Sequence, residues 1–149
     1  MEKLHHAVKQ LVPDIRLAMA KKDALSQRLQ VLREQKGARR LSKRSTQEQA
    51  NYLRAQSLVH MNGIYLGSAV TNLAHSPEAF ALIVPDLDPG IAQHALDTVA
   101  DEVAFAPGQG VTVEATIVAS LASIEDDLTL AKSHLDRACT LLDSIPERR

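Results

Sequence analysis

Residues 117–145 read IVASLASIEDDLTLAKSHLDRACTLLDSI and contain an unbroken heptad pattern. Its apolar positions alternate steps of four and three residues: Ile117, Leu121, Ile124, Leu128, Ala131, Leu135, Ala138, Leu142 and Ile145. This spacing keeps one apolar stripe on one face of a helix, as in coiled coils. We predict a helix from Glu114 to Ile145 that ends at Pro146 and is about 48 Å long, since a helix rises 1.5 Å per residue.

A second heptad pattern of similar length lies near the N-terminus. Its positions are Leu4, Val8, Leu11, Ile15, Ala18, Lys22, Leu25, Leu29 and Leu32, and all but the lysine are apolar. Pro13 lies within this run, and proline disrupts a helix interior but is tolerated in a first turn. Two alternatives follow: a short helix ends near Val12 and another begins at Pro13, or one helix kinks there. We expect the first and last helices to form a long, antiparallel, coiled-coil-like pair.

A further helix is predicted between these two segments. Ser45 and Glu48 have the spacing of a capping box at a helix N-terminus, and the helix is expected to continue to about residue 75. From residue 58 to residue 75 it is apolar on most sides, which predicts a buried middle helix. Asn62 and Gly63 also fit a turn, so a helix that breaks at this point is the alternative.

Two more helical segments complete an all-α fold. Ser76-Pro77 and Asp88-Pro89 each place a capping residue before a proline, as helix N-termini do. Hydrophobic residues make up 45% of the 149 residues and aromatic residues only 3%. The core must therefore consist mainly of aliphatic side chains, which suit helices. We predict one domain, residues 1–149, folded as a bundle of four to five helices.

Composition and the absence of targeting signals predict a cytoplasmic protein. Cys139 is the one cysteine, which excludes an internal disulfide and suits a reducing compartment. The N-terminal residues lack the apolar core of a signal peptide. The longest uncharged run, residues 55–77, contains too many polar residues to span a membrane.

Positive charge is concentrated in the N-terminal third of the chain. Residues 1–54 contain 13 Lys or Arg and 5 Asp or Glu, whereas residues 55–149 contain 4 and 13. One explanation is that opposite charges help helices select their partners. The densest basic cluster lies between two predicted helices, where we expect an exposed loop or mobile linker. Its members are Lys36, Arg39, Arg40, Lys43 and Arg44.

This basic cluster is the candidate partner-binding site, and a solvated connector without a binding role is the alternative. Exposed basic patches bind acidic protein surfaces or nucleic acids. We hypothesise a non-enzymatic adaptor, chaperone or assembly protein whose 36–44 segment binds an acidic surface or an amphipathic helix of a protein partner. The second hypothesis is a nucleic-acid-associated protein that contacts phosphates, since no aromatic residue is present in the segment for base stacking.

No pattern of catalytic or metal-binding residues is evident, so we expect no enzyme, no cofactor and no metal site. No two of the six histidines have the H-x-x-x-H spacing of a helical zinc site. His60 is interpreted as a core or interface histidine rather than a catalytic base. Asp126 and Asp127 are expected to point into solvent. We also expect a homodimer, because the apolar middle helix and the two heptad patterns exceed what one helical hairpin would bury.

Overall fold

The computed structural model describes residues 2–105 and 113–146, and within them the backbone is almost entirely helical and contains no strand. The helices are α1 (Glu2–Gln10), α2 (Val12–Glu34), α3 (Thr46–Leu73), α4 (Pro77–Ile83), α5 (Pro89–Phe105) and α6 (Val113–Asp143). Short 3₁₀ turns follow α2, at Gly37–Arg39 and Leu41–Lys43, and α4, at Val84–Asp86. The predicted all-α helical bundle is confirmed, whereas the assignment of residues 1–149 to one domain stays a prediction.

The first heptad pattern is divided between α1 and α2. The chain turns at Leu11, whose backbone N–H donates to the carbonyl oxygen of Val8 at 3.1 Å. Pro13 lies in the first turn of α2, where its missing N–H leaves no helical hydrogen bond unmade. The alternative with two separate helices is therefore the correct one.

The helix α3 begins directly after Ser45, the predicted cap, and continues without interruption through Asn62 and Gly63, where a break was the alternative. The Glu48 backbone N–H donates to the Ser45 hydroxyl, and that hydroxyl donates to the Glu48 carboxylate, both at 3.1 Å. Asn62 does not form a turn. Its side chain is fully buried and donates from Nδ2 to the carbonyl oxygen of Ala131 at 2.9 Å, so the amide that suggested a break attaches α3 to α6.

The central element of the bundle is the antiparallel pair of α3 and α6, which share the most extensive contact. Near the start of α3, Asn51 donates to the hydroxyl of Ser144, just beyond the end of α6, at 2.8 Å. The contact of Asn62 with Ala131 lies further along α3 and nearer the middle of α6. Between these two contacts the residue number rises along α3 and falls along α6, so the two helices are antiparallel. The helix α2 packs against both.

The predicted antiparallel pairing of the first and last helices is not confirmed. After α2 a short connection reverses the chain, and α3 returns along α2 with Gly63 beside Lys22. Since α6 is in turn antiparallel to α3, α2 and α6 point in the same direction. They still touch, as an ion pair between Arg28 and Asp143 at 3.0 Å shows. An apolar stripe requires an apolar neighbour but does not specify which one, and α3 takes the antiparallel position on α6.

Both heptad stripes face the interior of the bundle. Their buried members are Val8, Ile15, Ala18, Leu25, Leu29, Leu32, Ile117, Ile124, Leu128, Ala131, Leu135, Ala138, Leu142 and Ile145. The middle helix differs from its prediction on one face. Met61 and Ile64 are 38% and 60% exposed, so the prediction that residues 58–75 are buried on most sides is wrong for the outer face of α3, which no described helix covers.

We expect Leu128→Asp to unfold the bundle or lower its Tm by more than about 10 °C. Leu128 is 5% exposed, and even the loss of a buried leucine side chain to alanine costs about 2–5 kcal/mol. An unpaired carboxylate at this position adds the cost of burying a charge. Thermal melting followed by circular dichroism measures the effect. Val118→Asp is the matched control on the same helix, because Val118 is 49% exposed, and it should melt close to wild type.

Candidate functional site

The basic cluster lies in the connection between α2 and α3, at one end of the bundle. Its two 3₁₀ turns are closed by backbone hydrogen bonds from Arg40 to Gly37 and from Arg44 to Leu41. Gly37 has a φ of +66°, a left-handed conformation that glycine adopts without the steric cost of a side chain. The expectation of a mobile linker is therefore replaced by a segment with a regular backbone and internal hydrogen bonds.

Arg44 is the internal anchor of this segment. Its side chain is only 2% exposed and donates three hydrogen bonds: to the Glu48 carboxylate at 3.0 Å, to Gln35 Oε1 at 2.6 Å and to the carbonyl oxygen of Arg39 at 3.1 Å. It thereby connects the end of α2, the first 3₁₀ turn and the first turn of α3. The expectation that Arg44 projects from the surface is wrong, because the buried Glu48 carboxylate requires a cationic partner. The sequence signal for this pair is the i, i+4 spacing of Arg44 and Glu48.

The other four members of the cluster are exposed, and we call them the basic cap: Lys36, Arg39, Arg40 and Lys43. None of Lys36, Arg40 and Lys43 forms an ion pair with a carboxylate among residues 2–105 and 113–146. The structure thus holds the four cations together at one end of the bundle and separates them from the buried Arg44. Their role in partner binding stays a prediction.

Other cations of the N-terminal half form ion pairs within the chain. Lys9 pairs with Glu78 at 2.9 Å, Arg16 with Asp86 at 2.7 Å and Arg28 with Asp143 at 3.0 Å. The hydrogen bond and positive charge of Lys9 lower the pKa of Glu78. Each pair joins α1 or α2 to a C-terminal element, so the charge asymmetry does contribute to helix pairing. These pairs are partly solvated, so each of them adds little to the stability of the fold.

The histidines are dispersed through the fold. His5 shares a hydrogen bond with Ser76 at 2.9 Å, His75 contacts Glu102 at 3.0 Å, and His134 packs against the ring of Tyr65 with centroids 5.3 Å apart. His60 is exposed, so it is not a core histidine, and the alternative of an interface histidine stays a prediction. Within the described ranges, no group of three or more His, Cys, Asp or Glu side chains is placed to hold a metal ion.

Asp127 departs from the expected solvent-facing position. The residue is half-buried on α6, and its Oδ2 atom has no hydrogen-bond partner among the described residues. Burial raises the pKa of this carboxyl group, a hydrogen bond with Ser68 opposes the rise, and the charge of Asp126 adds to it. A raised pKa means that the folded protein holds this proton more tightly than the unfolded chain, so the ionised carboxylate destabilises the fold at neutral pH.

Asp127→Asn should therefore stabilise the protein at pH 7, by less than about 1 kcal/mol because the carboxyl group stays partly solvated. The gain should disappear as the pH falls below the ordinary aspartate pKa of about 4, where the wild-type carboxyl is neutral in both states. Urea denaturation of the variant and wild type across this range tests the sign. Asp101→Asn, at an exposed position of α5, is the control and should leave the stability at pH 7 close to that of the wild type. A gain that persists unchanged at acid pH would contradict this account.

Arg44→Gln should lower the free energy of unfolding by about 3 kcal/mol, because it leaves the buried Glu48 carboxylate without its charged partner. Arg40→Gln, at an exposed position of the same segment, should change it by no more than about 0.5 kcal/mol. Urea denaturation measures both. Adding Glu48→Gln to the Arg44 variant should recover part of the loss, since no unpaired charge then remains. Equal stabilities for the two single variants would show that Arg44 is not an anchor.

Known proteins provide no family for this chain. No protein-family model matches the sequence, and no curated protein or solved structure is significantly similar to it. None of the described helices combines the length and the hydropathy needed to cross a bilayer. Any function must therefore be inferred from the residues of this chain alone.

Proposed function

We propose that this protein is a non-enzymatic adaptor or assembly protein, of the kind that includes helical chaperones, and that it binds an acidic surface of a partner protein through its basic cap. The observation that carries the proposal is that the basic residues of the 36–44 segment differ in burial. Arg44 is buried and bonds the segment to α2 and α3, whereas the cap residues Lys36, Arg39, Arg40 and Lys43 face solvent. A fixed backbone presents these charges in a constant arrangement and lowers the entropy cost of binding.

The charge pattern supports a binding role over a purely structural one. Lys9, Arg16 and Arg28 have carboxylate partners within the chain, so the need to pair helices accounts for them. It does not account for Lys36, Arg40 and Lys43, which have no such partner in the described part of the chain. Repulsion among clustered cations disfavours the unbound state, and an acidic partner relieves it.

The chemistry of the cap supports binding rather than catalysis. Exposed lysine and arginine side chains carry hydrogen-bond donors and no acceptor. Among the residues near the cap, Gln35 and Glu48 are engaged by Arg44, and Glu34 accepts a hydrogen bond from Gln30 at 2.9 Å. This end of the bundle therefore offers positive charge and hydrogen-bond donors, which suit recognition of carboxylates.

A cytoplasmic homodimer is part of the same proposal. Leu53 and Met61 on α3 and Leu130 on α6 are 61%, 38% and 42% exposed, and exposed apolar side chains of neighbouring helices favour association. Cys139 is a free, half-buried thiol, which suits a reducing compartment. Light scattering across protein concentrations measures the mass of the assembly, and a monomer at all concentrations would reject this part of the proposal.

The test is a variant with all four cap residues neutralised: Lys36→Gln, Arg39→Gln, Arg40→Gln and Lys43→Gln. It should keep the wild-type Tm within a few degrees, because exposed substitutions change stability by about 0.5 kcal/mol or less each. Its capture of the partner from native lysate, quantified by mass spectrometry after nuclease treatment, should fall at least about tenfold. The matched control neutralises four exposed cations elsewhere, Lys3, Lys21, Lys132 and Arg137, and should retain the partner.

Two outcomes would reject the proposal. If the neutralised variant retains the partner, the cap is a solvated connector. If nuclease treatment removes the bound material, and binding of a labelled oligonucleotide falls steeply with rising salt, the ligand is nucleic acid and the second hypothesis replaces the first.

A further inference from the structure

An open groove runs between α2 and α3, next to the basic cap. It encloses about 480 Å³. Leu29 and Val59 form its floor and are 4% and 7% exposed, while Ile64 borders it and is 60% exposed. The groove thus has an apolar floor, while Ser26, Gln56 and His60 line its sides together with two cations.

The groove is the uncovered continuation of a surface that α5 occupies. The N-terminal residues of α5, Gly90 and Ile91, border α3 at Gly63 and Gly67, and further along α5 reaches His75, which contacts Glu102. Residues Gln56 to Gly63 of α3 lie beyond the start of α5, and no described helix covers this side of them. A helix can therefore lie on this part of α3 in line with α5.

Gly67 lies beside the start of α5, and Gly63, at the end of the open stretch, is covered by the side chain of Lys22. A Cβ atom at Gly67 would have no neighbour within 4 Å, and one at Gly63 would meet only the flexible side chain of Lys22, at 3.1 Å from Cε. The open stretch from Gln56 to Ile64 corresponds to about two helical turns, or 12 Å. Packed helices lie 8–10 Å apart, at the short end when small residues form the contact.

The charges around the groove specify the occupant. Lys22 and Arg33 line it from α2, and no Asp or Glu is among its lining residues. Neither cation forms an ion pair with a carboxylate in the described part of the chain. Arg33 lies only three residues before Lys36, so the positive edge of the groove continues into the basic cap. An occupant with one apolar face and carboxylates along its edges satisfies both features.

We infer that this groove docks an acidic amphipathic helix of a partner protein. The helix lays its apolar face on Val59 and Ile64, places its carboxylates on Lys22 and Arg33, and extends towards the basic cap. This inference rests on the proposed function and deepens it, since it specifies the partner segment and adds contacts that the 36–44 segment does not contain. It also accounts for the exposed side chain of Ile64 on α3.

The probe is a fluorescent acidic amphipathic peptide of Leu, Ala and Glu, about 18 residues long because shorter helices are marginal in water. Fluorescence anisotropy measures its affinity for the full chain. A scrambled peptide of the same composition has the same charge without the apolar face. The amphipathic peptide should bind at least about tenfold more tightly than the scrambled one, whereas equal affinities, or no binding of either peptide, would overturn the inference.

Two groove variants, Arg33→Glu and Ile64→Asp, are at exposed positions and should keep the wild-type melt. Each should weaken peptide binding at least about tenfold, because like charges then face each other or the apolar contact is lost. Arg54→Glu, in a separate cavity between α3 and α6, and Val118→Asp, 49% exposed on α6, are the matched controls. They should stay within about twofold of wild type. Equal losses in the groove variants and in the controls would overturn the inference.

The neutralised basic-cap variant, measured beside these, separates the two proposals. If the cap variant loses the native partner and the groove variants keep both partner and peptide, the groove inference fails and the proposed function stands. If the groove variants lose the partner and the cap variant keeps it, the groove holds and the role of the cap fails. If the cap variant and the groove variants all keep the partner, the proposed function and the groove inference are both rejected.

Discussion

The packing of α3 against α6 is the contact on which the rest of the bundle depends. Ala55, Ala69, Ala131 and Ala138 are fully buried, and small side chains let two helices approach closely. Asn62 contributes to the register of this pair, because its buried Nδ2 donates to the carbonyl oxygen of Ala131 in α6, while its Oδ1 has no hydrogen-bond partner among the described residues. The other helices pack on this pair or on its ends.

The core and the basic cap are connected through the first turn of α3. Ser45 caps this turn, and Glu48 within it accepts hydrogen bonds from both Ser45 and the buried Arg44. A buried ion pair adds little net stability compared with an apolar contact, but it penalises arrangements that leave one charge unpaired. The Arg44–Glu48 pair therefore specifies the path of the connection, and this path in turn determines where the exposed cations stand.

Apart from the buried Arg44, two groups of cations can be distinguished. One group forms partly solvated ion pairs between the N-terminal helices and the C-terminal half, and assists the choice of neighbours. The other group, which comprises Lys22, Arg33 and the basic cap, follows the edge of the α2–α3 groove to the end of the bundle. A single elongated surface with an apolar floor and a positive edge results.

Local patterns in the sequence determined the helices themselves. The heptad positions, the Ser45–Glu48 cap and the prolines at helix starts predict the helical segments and their inward faces, because these features depend on residues within one or two turns of each other. Only the tertiary structure decided which helices are neighbours. An apolar stripe is buried equally well by any apolar partner, so periodicity alone did not distinguish α3 from α2 as the antiparallel neighbour of α6. Likewise, Arg44 and Arg40 have the same side chain in the same segment, and one is buried and the other exposed because only Arg44 lies within reach of Gln35 and Glu48 once α2 and α3 are packed together.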